Sequence, residues 1–436
     1  MALCAPERVT FAELDQRVDA ACSAMLANTS IQVGQRVGLR APNGVGFVVA
    51  VHALMRLGAV LVPISTRLSA AEVDWLLADA EVAHVFDEDQ LRRLLGVPQA
   101  TPRMRSFDLD APHSVIYTSG TTGRPKGAVL TYDNHWSNAV ASMLNLGVHA
   151  NDVWLVCLPL FHVGGLAILL RSVIYGMPVV LHERFDAELV NAAIDHAGVS
   201  IVSVVSTMLE RMLSARRDRP YAASLRCVLL GGGPAPLPLL ERALAAGAPV
   251  MQTYGLTETA SQVATLSPED ARRKIGSAGK PLFGTQVRIA DDGEILVRGP
   301  VVSPGYLHHE PHGEWFSTGD LGYVDGEGYL YVHDRREDLI VTGGENVYPA
   351  EVEAVLLAHS SVAEAAVFGV PDAEWGQTVA AAIALRGPLN VEELRVFCRA
   401  RLAGFKVPRR LVVLEALPRN AAGKILRREL RAAFST

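Results

Sequence analysis

Apolar residues fall in short blocks separated by longer stretches in which they recur at helical spacing. Arg36–Arg40 and the segments 153–158, 178–181, 200–205, 226–230 and 249–252 read as strands. Segments 187–197 and 238–246 read as helices between them. Segment 46–57 reads as a buried helix running into a buried strand at 59–63. Strands alternating with helices predict an α/β fold with largely parallel sheets. The pattern changes after Lys280: 286–290, Glu294–Arg298, 322–324 and 329–333 are short and separated by Asp291-Asp292-Gly293 and Asp325-Gly326-Glu327-Gly328. Those turns are hairpin signals and predict a small antiparallel module closing the large domain. Helix–strand alternation resumes at 351–358, 362–369 and 391–402, enough for a compact α+β domain at the C-terminal end.

A chain of 436 residues, half of them hydrophobic, has room for two or three domains and a large core. The formal net charge is −6 and no Lys/Arg-rich run occurs, so a nucleic-acid partner has no electrostatic support. Cys4, Cys22, Cys157, Cys227 and Cys398 lie far apart with no C-x-x-C pair. Neither a disulfide framework nor a zinc site is expected from them, and a reducing, cytoplasmic setting fits. No secretory pattern is visible in residues 1–10. The most apolar stretch, 45–64, carries His52 and Arg56 in its middle, and a charge at mid-bilayer costs about 2.5–3.5 kcal/mol. No membrane insertion is expected.

Tyr117-Thr118-Ser119-Gly120-Thr121-Thr122-Gly123-Arg124-Pro125-Lys126-Gly127 reads as a loop built to hold phosphate. Its glycines let the backbone approach an anion closely, and its hydroxyls, cations and successive N–H groups supply donors. It is not the nucleotide-binding loop G-x-x-x-x-G-K-[ST]: counted from Gly120, Pro125 and Gly127 stand where Gly and Ser or Thr are required. Tyr254-Gly255-Leu256-Thr257-Glu258-Thr259 follows another strand. A carboxylate beside hydroxyls there suits either a helix N-cap or an Mg²⁺ ion, which takes oxygen donors. The phosphate loop favours the metal role.

The loop closely resembles the phosphate-binding signature of the adenylate-forming superfamily, which holds acyl- and aryl-CoA synthetases, luciferases and peptide-synthetase adenylation domains. Five motif blocks in that family's order span residues 117 to 424, and Thr10–Leu14 and Gly58–Pro63 also have counterparts. The chain departs from typical members in having few residues before Thr10 and a short run after the phosphate loop. The resemblance implies a large domain at 1–334, a hinge at 335–338 and a mobile domain at 339–436. It implies that Thr118, Ser119, Gly120, Thr121, Thr122, Gly123 and Lys126 hold phosphates, and that Glu258 with Thr118 holds Mg²⁺. Gly232, Gly233 and Pro234 would border adenine, with Thr253, Tyr254, Gly255 and Thr257 completing the nucleotide site. Asp320, in Ser317-Thr318-Gly319-Asp320, and Arg335 match the ribose-binding pair. Lys424, in Pro418-Arg419-Asn420-Ala421-Ala422-Gly423-Lys424-Ile425, matches the adenylation lysine, whose ammonium offsets charge building between carboxylate and α-phosphate. Gly343 and Gly344 would border the CoA tunnel. Lys424, Glu258, Thr118 and Lys126 are the catalytic expectations.

Segments 229–238, 260–268 and 276–282 resemble the o-succinylbenzoate–CoA ligases of menaquinone biosynthesis. Their substrate has two carboxylates and a ring, so His162, Ser206, Thr207, Gly255, Ser261 and Gln262 are the acyl-site candidates. The implied reaction joins this acid to CoA through an acyl-AMP, with ATP, CoA and Mg²⁺ required. Alternatives are another aryl- or short acyl-CoA ligase, a ligase serving a carrier-protein thiol, and a non-catalytic nucleotide-binding regulator. Oligomeric state stays open.

Overall fold

The computed structural model describes all residues except 1, 2, 5, 6, 95–105, 107, 119–124, 218, 234, 336, 337, 343, 344, 373, 374, 421, 422, 435 and 436. Among the described residues, the strands form four sheets. The first runs in the order Gly305–Tyr306, Lys126–Thr131, Pro112–Thr118, Val60–Pro63, Arg36–Arg40, His84–Asp87. Its last four strands are parallel, while Pro112–Thr118 and Lys126–Thr131 pair antiparallel across the phosphate loop. The second sheet has a parallel centre of Val250–Tyr254, Cys227–Leu230, Ile201–Val204, Trp154–Val156 and Val179–Leu181. Two short antiparallel strands, Ala264–Thr265 and Lys280–Pro281, extend its edge. "Largely parallel" therefore holds for the centres of both sheets and fails at their functional edges.

The central strands Val60–Pro63, Trp154–Val156, Val179–Leu181, Ile201–Val204 and Cys227–Leu230 are buried on both faces, which is why they read as continuous apolar runs rather than alternations. Phe11–Asn28, Val45–Leu57 and Val163–Tyr175 pack into one core cluster with Leu39, Leu61, Ile116, Trp154 and Val156. Thr10 caps the first of these helices through its hydroxyl, while Glu13 bonds back to the Thr10 N–H. Gly58 ends the second in the left-handed region, at φ 69°.

The small third sheet is antiparallel throughout, in the order Gln286–Ile289, Glu294–Arg298, Phe316–Val324, Leu330–Arg335. Its last hairpin is strapped to the large domain by Lys274, whose ammonium meets Asp325 at 2.8 Å. The fourth sheet belongs to the C-terminal unit: Gly376–Leu385 pairs antiparallel with Val362–Asp372 and parallel with Arg410–Leu414. Pro349–Leu357 and Val391–Arg399 pack on one face, around Val352, Leu356, Val367, Ile383 and Leu394. Arg427–Phe434 packs on the other face through Leu430. Among the described residues, no helix is long and apolar enough to cross a membrane.

Two histidines lie in the core beneath the phosphate hairpin. His113 stacks edge-on against His135, ring centroids 4.6 Å apart, and against Tyr132 at 5.1 Å. Burial pulls the His135 pKa to about 3, helped by Arg171, and pulls His113 well below its ordinary value, helped by His135. Both depressed bases stay neutral in the folded chain, while the unfolded chain protonates them below about pH 6.5. Stability is therefore intact above that pH and falls as the pH drops from 6.5 towards the folded values. The slope is up to about 1.4 kcal/mol per pH unit for each histidine. His113→Phe, which keeps the aromatic packing, is expected to flatten urea-unfolding free energies measured between pH 7 and 4.5.

Candidate functional site

Side chains of Lys126, Tyr306 and Glu258 form one linked set, and Tyr254 and Asp320 another. The phosphate hairpin brings Thr118 opposite Lys126, with the Thr118 hydroxyl donating to the Lys126 carbonyl at 3.5 Å. Ser119, Gly120, Thr121, Thr122 and Gly123 lie outside the described residues, as do Pro234, Gly343 and Gly344.

Beside the hairpin, Thr257–Thr259 forms a single 3₁₀ turn rather than the start of a long helix. Glu258 is 8% exposed, and its Oε1 accepts a hydrogen bond from the Tyr306 hydroxyl at 2.6 Å. The ring of Tyr306 in turn lies 5.5 Å from the Lys126 ammonium. Among the described residues, no three His, Cys, Asp or Glu side chains gather into a metal cluster. The single Glu258 carboxylate is an oxygen donor of the kind Mg²⁺ takes.

The chain after Glu258 is forced into unusual conformations. Ala260 and Ser261 have φ of 51° and 120°, although neither is glycine. Such backbone persists only where its surroundings over-determine it. Here the segment folds back over Gly255, where a Cβ would sit 1.5 Å from the Ser261 carbonyl oxygen. Gly255 is thus required by a chain crossing. Gly231 has a similar role, since a Cβ there would lie 2.8 Å from Thr253 Cγ2, and Gly232 turns the chain at φ 79°.

Asp320 lies inside the strand Phe316–Val324, and its register partner across the hairpin is Arg335. The two residues of the expected ribose-binding pair thus face each other across one hairpin. The ladder slips between Leu321 and Gly322, and such a bulge re-aims the neighbouring side chain. Asp320 is 6% exposed and accepts from the Tyr254 hydroxyl at 2.7 Å. Its backbone N–H is held by Thr318 Oγ1, and Gly319 N–H donates to Glu294. Arg335 is described in its backbone alone.

Among the acyl-site candidates, Ser206 and Thr207 open the helix Ser206–Arg216 at the end of the strand Ile201–Val204. His162 precedes the helix Val163–Tyr175, with Nε2 buried and lacking a hydrogen-bond partner. Burial, reinforced by Arg67, pulls its pKa to about 4, so the ring is neutral near pH 7. Gln262 is 1% exposed and gives its amide hydrogens to Thr265 Oγ1 at 2.9 Å and Thr253 Oγ1 at 3.3 Å. Its amide is thus engaged by the two threonines that pair across Val250–Tyr254 and Ala264–Thr265.

Lys424 is exposed in the segment between Arg410–Leu414 and Arg427–Phe434. Its N–H donates to Asn420 Oδ1 at 2.9 Å, and its carbonyl accepts from Asn420 N–H at 2.8 Å. Three residues on, Arg427 contacts Asp338 at 3.3 Å and Glu353 at 2.7 Å, and Arg431 reaches Asp338 at 3.6 Å.

Sequence reasoning missed Tyr306, Asn134 and Asn138. The two asparagines sit one helical turn apart on Tyr132–Leu146 and are 4% and 1% exposed. Asn138 Nδ2 donates to the carbonyls of Thr259 and Gln262, and Asn134 Nδ2 to those of Pro300 and Val302. Polar residues at i and i+4 on an otherwise inward-facing stripe were the available signal.

Tyr254→Phe removes the hydroxyl donor to the buried Asp320 carboxylate, which the family resemblance assigns to ribose. It is expected to raise KM for ATP about three- to tenfold with kcat nearly unchanged, as initial rates of pyrophosphate release would show.

The AMP-binding enzyme family matches residues 1–307, and the AMP-binding enzyme C-terminal domain matches residues 351–424. The 2-succinylbenzoate–CoA ligase of Bacillus cereus is 47% identical, the alignment covering 98% of this chain and 93% of that one. The o-succinylbenzoate CoA synthetase (MenE) from Bacillus subtilis, solved in complex with its acyl-adenylate intermediate OSB-AMP, has a TM-score of 0.92 at 43% identity, covering 99% and 95% of the two chains. The same synthetase in complex with ATP and magnesium ion gives 0.90 at 43%, covering 98% and 96%. With both of its domains matched in order and relatives of this closeness along nearly its whole length, the chain belongs to the AMP-binding enzyme family.

Proposed function

We propose that this protein joins o-succinylbenzoate to CoA at the expense of ATP, through an acyl-AMP intermediate. The observation that carries this reading is near-complete coverage, at 47% identity, by a ligase of that substrate. The described geometry adds support: Tyr306 links the Lys126 strand to the Glu258 turn, and Tyr254, at the end of the strand before that turn, holds the buried Asp320 carboxylate.

In the first step, a carboxylate oxygen of the acid attacks the α-phosphorus of ATP, and the bond to the pyrophosphate oxygen breaks. Lys126 and the hydroxyl of Thr118 hold phosphate oxygens, and Asp320 accepts from the ribose hydroxyls with Arg335 beside it. Lys424 places its ammonium against the oxygens between which charge builds. Magnesium, delivered with the nucleotide and met by Glu258, supplies electrostatic neutralisation of the leaving pyrophosphate. In the second step, the C-terminal unit turns about 335–338, withdrawing Lys424 and bringing Gly343 and Gly344 along the incoming pantetheine arm. The CoA sulfur, having lost its proton, attacks the carbonyl carbon, and the bond to AMP breaks.

The second carboxylate of the acid needs polar company within an otherwise apolar pocket. His162, Ser206, Thr207 and Ser261 are the candidates to offer it, with Gln262 holding Thr253. A cytoplasmic location fits the free thiols of Cys22, Cys157, Cys227 and Cys398.

Pyrophosphate release with MgATP and a panel of carboxylates, with and without CoA, tests the reading. Turnover on o-succinylbenzoate with thioester formation is the expected result; turnover confined to benzoates or fatty acids overturns the substrate. Lys424→Ala is expected to slow adenylation by about 10²–10³. It should spare thioester formation from supplied acyl-AMP, and equal loss of both half-reactions overturns the divided roles.

A further inference from the structure

Tyr306 stands where the two anion-handling parts of the site touch, and no motif brought it forward. Its segment is bonded on both sides. Toward the phosphate hairpin, Gly305–Tyr306 pairs antiparallel with Val129 and Ala128, and Leu307 N–H donates to the Gly127 carbonyl at 2.9 Å. The Ser303 hydroxyl donates to the Val129 carbonyl at 2.6 Å. Toward the acidic turn, Ser303 N–H donates to the Glu258 carbonyl at 2.7 Å. The segment is therefore a strip of backbone joining the strand of Lys126 to the turn of Glu258.

The side chain repeats the connection at the level of charge. The phenol donates to Glu258 Oε1 at 2.6 Å, while the ring presents its π-system to the Lys126 ammonium at 5.5 Å. His312 and His309 pack edge-on against the same ring, at 5.3 and 6.0 Å, fixing its plane. Glu258 and Lys126 carry opposite charges at the mouth of a site that must accept a metal–polyphosphate. Left alone, such a pair can collapse onto one another, and each would then have to be released before the ligand could enter. A neutral side chain that satisfies one oxygen of the carboxylate and offers the ammonium a π-face holds both in place without joining them.

We propose that Tyr306 is a positioning residue that sets the Glu258 carboxylate for magnesium and keeps the Lys126 ammonium available for phosphate. The inference rests on the proposed metal role of Glu258 and phosphate role of Lys126. Its two halves are separable, because the hydroxyl serves Glu258 and the ring serves Lys126.

The test is the magnesium dependence of pyrophosphate release at fixed ATP in the full-length enzyme, for Tyr306→Phe, Tyr306→Leu, Glu258→Gln and Tyr306→Phe combined with Glu258→Gln. Tyr306→Phe should raise the magnesium concentration for half-maximal rate about three- to tenfold while leaving KM for the acid unchanged. Tyr306→Leu should add a rise in KM for ATP, since it also removes the ring. The double variant should match Glu258→Gln alone, showing that the hydroxyl acts through that carboxylate. Wild-type magnesium dependence in Tyr306→Phe, with Glu258→Gln shifted, overturns the inference and leaves the metal reading standing. Wild-type dependence in Glu258→Gln overturns the metal reading and the inference with it. Additive loss in the double variant, or equal rises in KM for every substrate, marks a merely structural tyrosine and overturns the inference. If Tyr306→Leu does not fold, Tyr306→Phe against Glu258→Gln still decides the hydroxyl half.

Discussion

Irregular backbone inside a protein must find donors for its carbonyl groups, and the site depends on how that need is met. The segments 255–262 and 300–307 carry the acidic turn and Tyr306, yet they gain little help from helix or sheet ladders. The helix Tyr132–Leu146 supplies the donors: Asn138 serves Thr259 and Gln262, and Asn134 serves Pro300 and Val302. Arg171 donates to Asn138 Oδ1 at 2.6 Å and so fixes which way the amide points. An unsatisfied buried carbonyl costs about 1–3 kcal/mol, so four of them left without donors would abolish the geometry rather than loosen it.

That scaffold explains how a strained path is kept. Ala260 and Ser261 hold positive φ because the carbonyls on either side are anchored and because Gly255 leaves room for the crossing. The charges are managed similarly. Each carboxylate in the site has a tyrosine hydroxyl against it: Tyr254 on Asp320 and Tyr306 on Glu258. A phenol satisfies an oxygen lone pair without neutralising the carboxylate, so the negative charge remains for a cation or a sugar to use.

Much of this was legible in the sequence, for physical reasons that differ between parts. The central strands announced themselves because burial on both faces demands uninterrupted apolar runs. The hairpins of the small sheet did so through Asp-Gly turns, whereas Gly255 was picked out only as part of a motif, and the chain crossing that requires it is visible in the structure alone. Asp320 was found as a motif, but its place inside a bulged strand was not, because a strand containing Gly319 carries no clear alternation in sequence. The short antiparallel strands at 264–265 and 280–281 escaped because two residues carry no periodicity. Asn134, Asn138 and Tyr306 escaped because their partners lie more than forty residues away, where no spacing rule reaches.

The ion pairs around Asp338 bear on motion. Arg427 and Arg431 of the last helix grip Asp338, the last residue of the proposed hinge, and Arg427 also grips Glu353 within the C-terminal unit. The first and last parts of that unit are thereby clamped together, with Lys424 on the stretch leading into the clamp. For a unit proposed to pivot at 335–338, this makes Lys424 the tip of a stiff lever rather than a bead on a loose tail. Small rotations at the pivot then become displacements of the ammonium with little slack, so its arrival and its departure are one movement run in opposite directions.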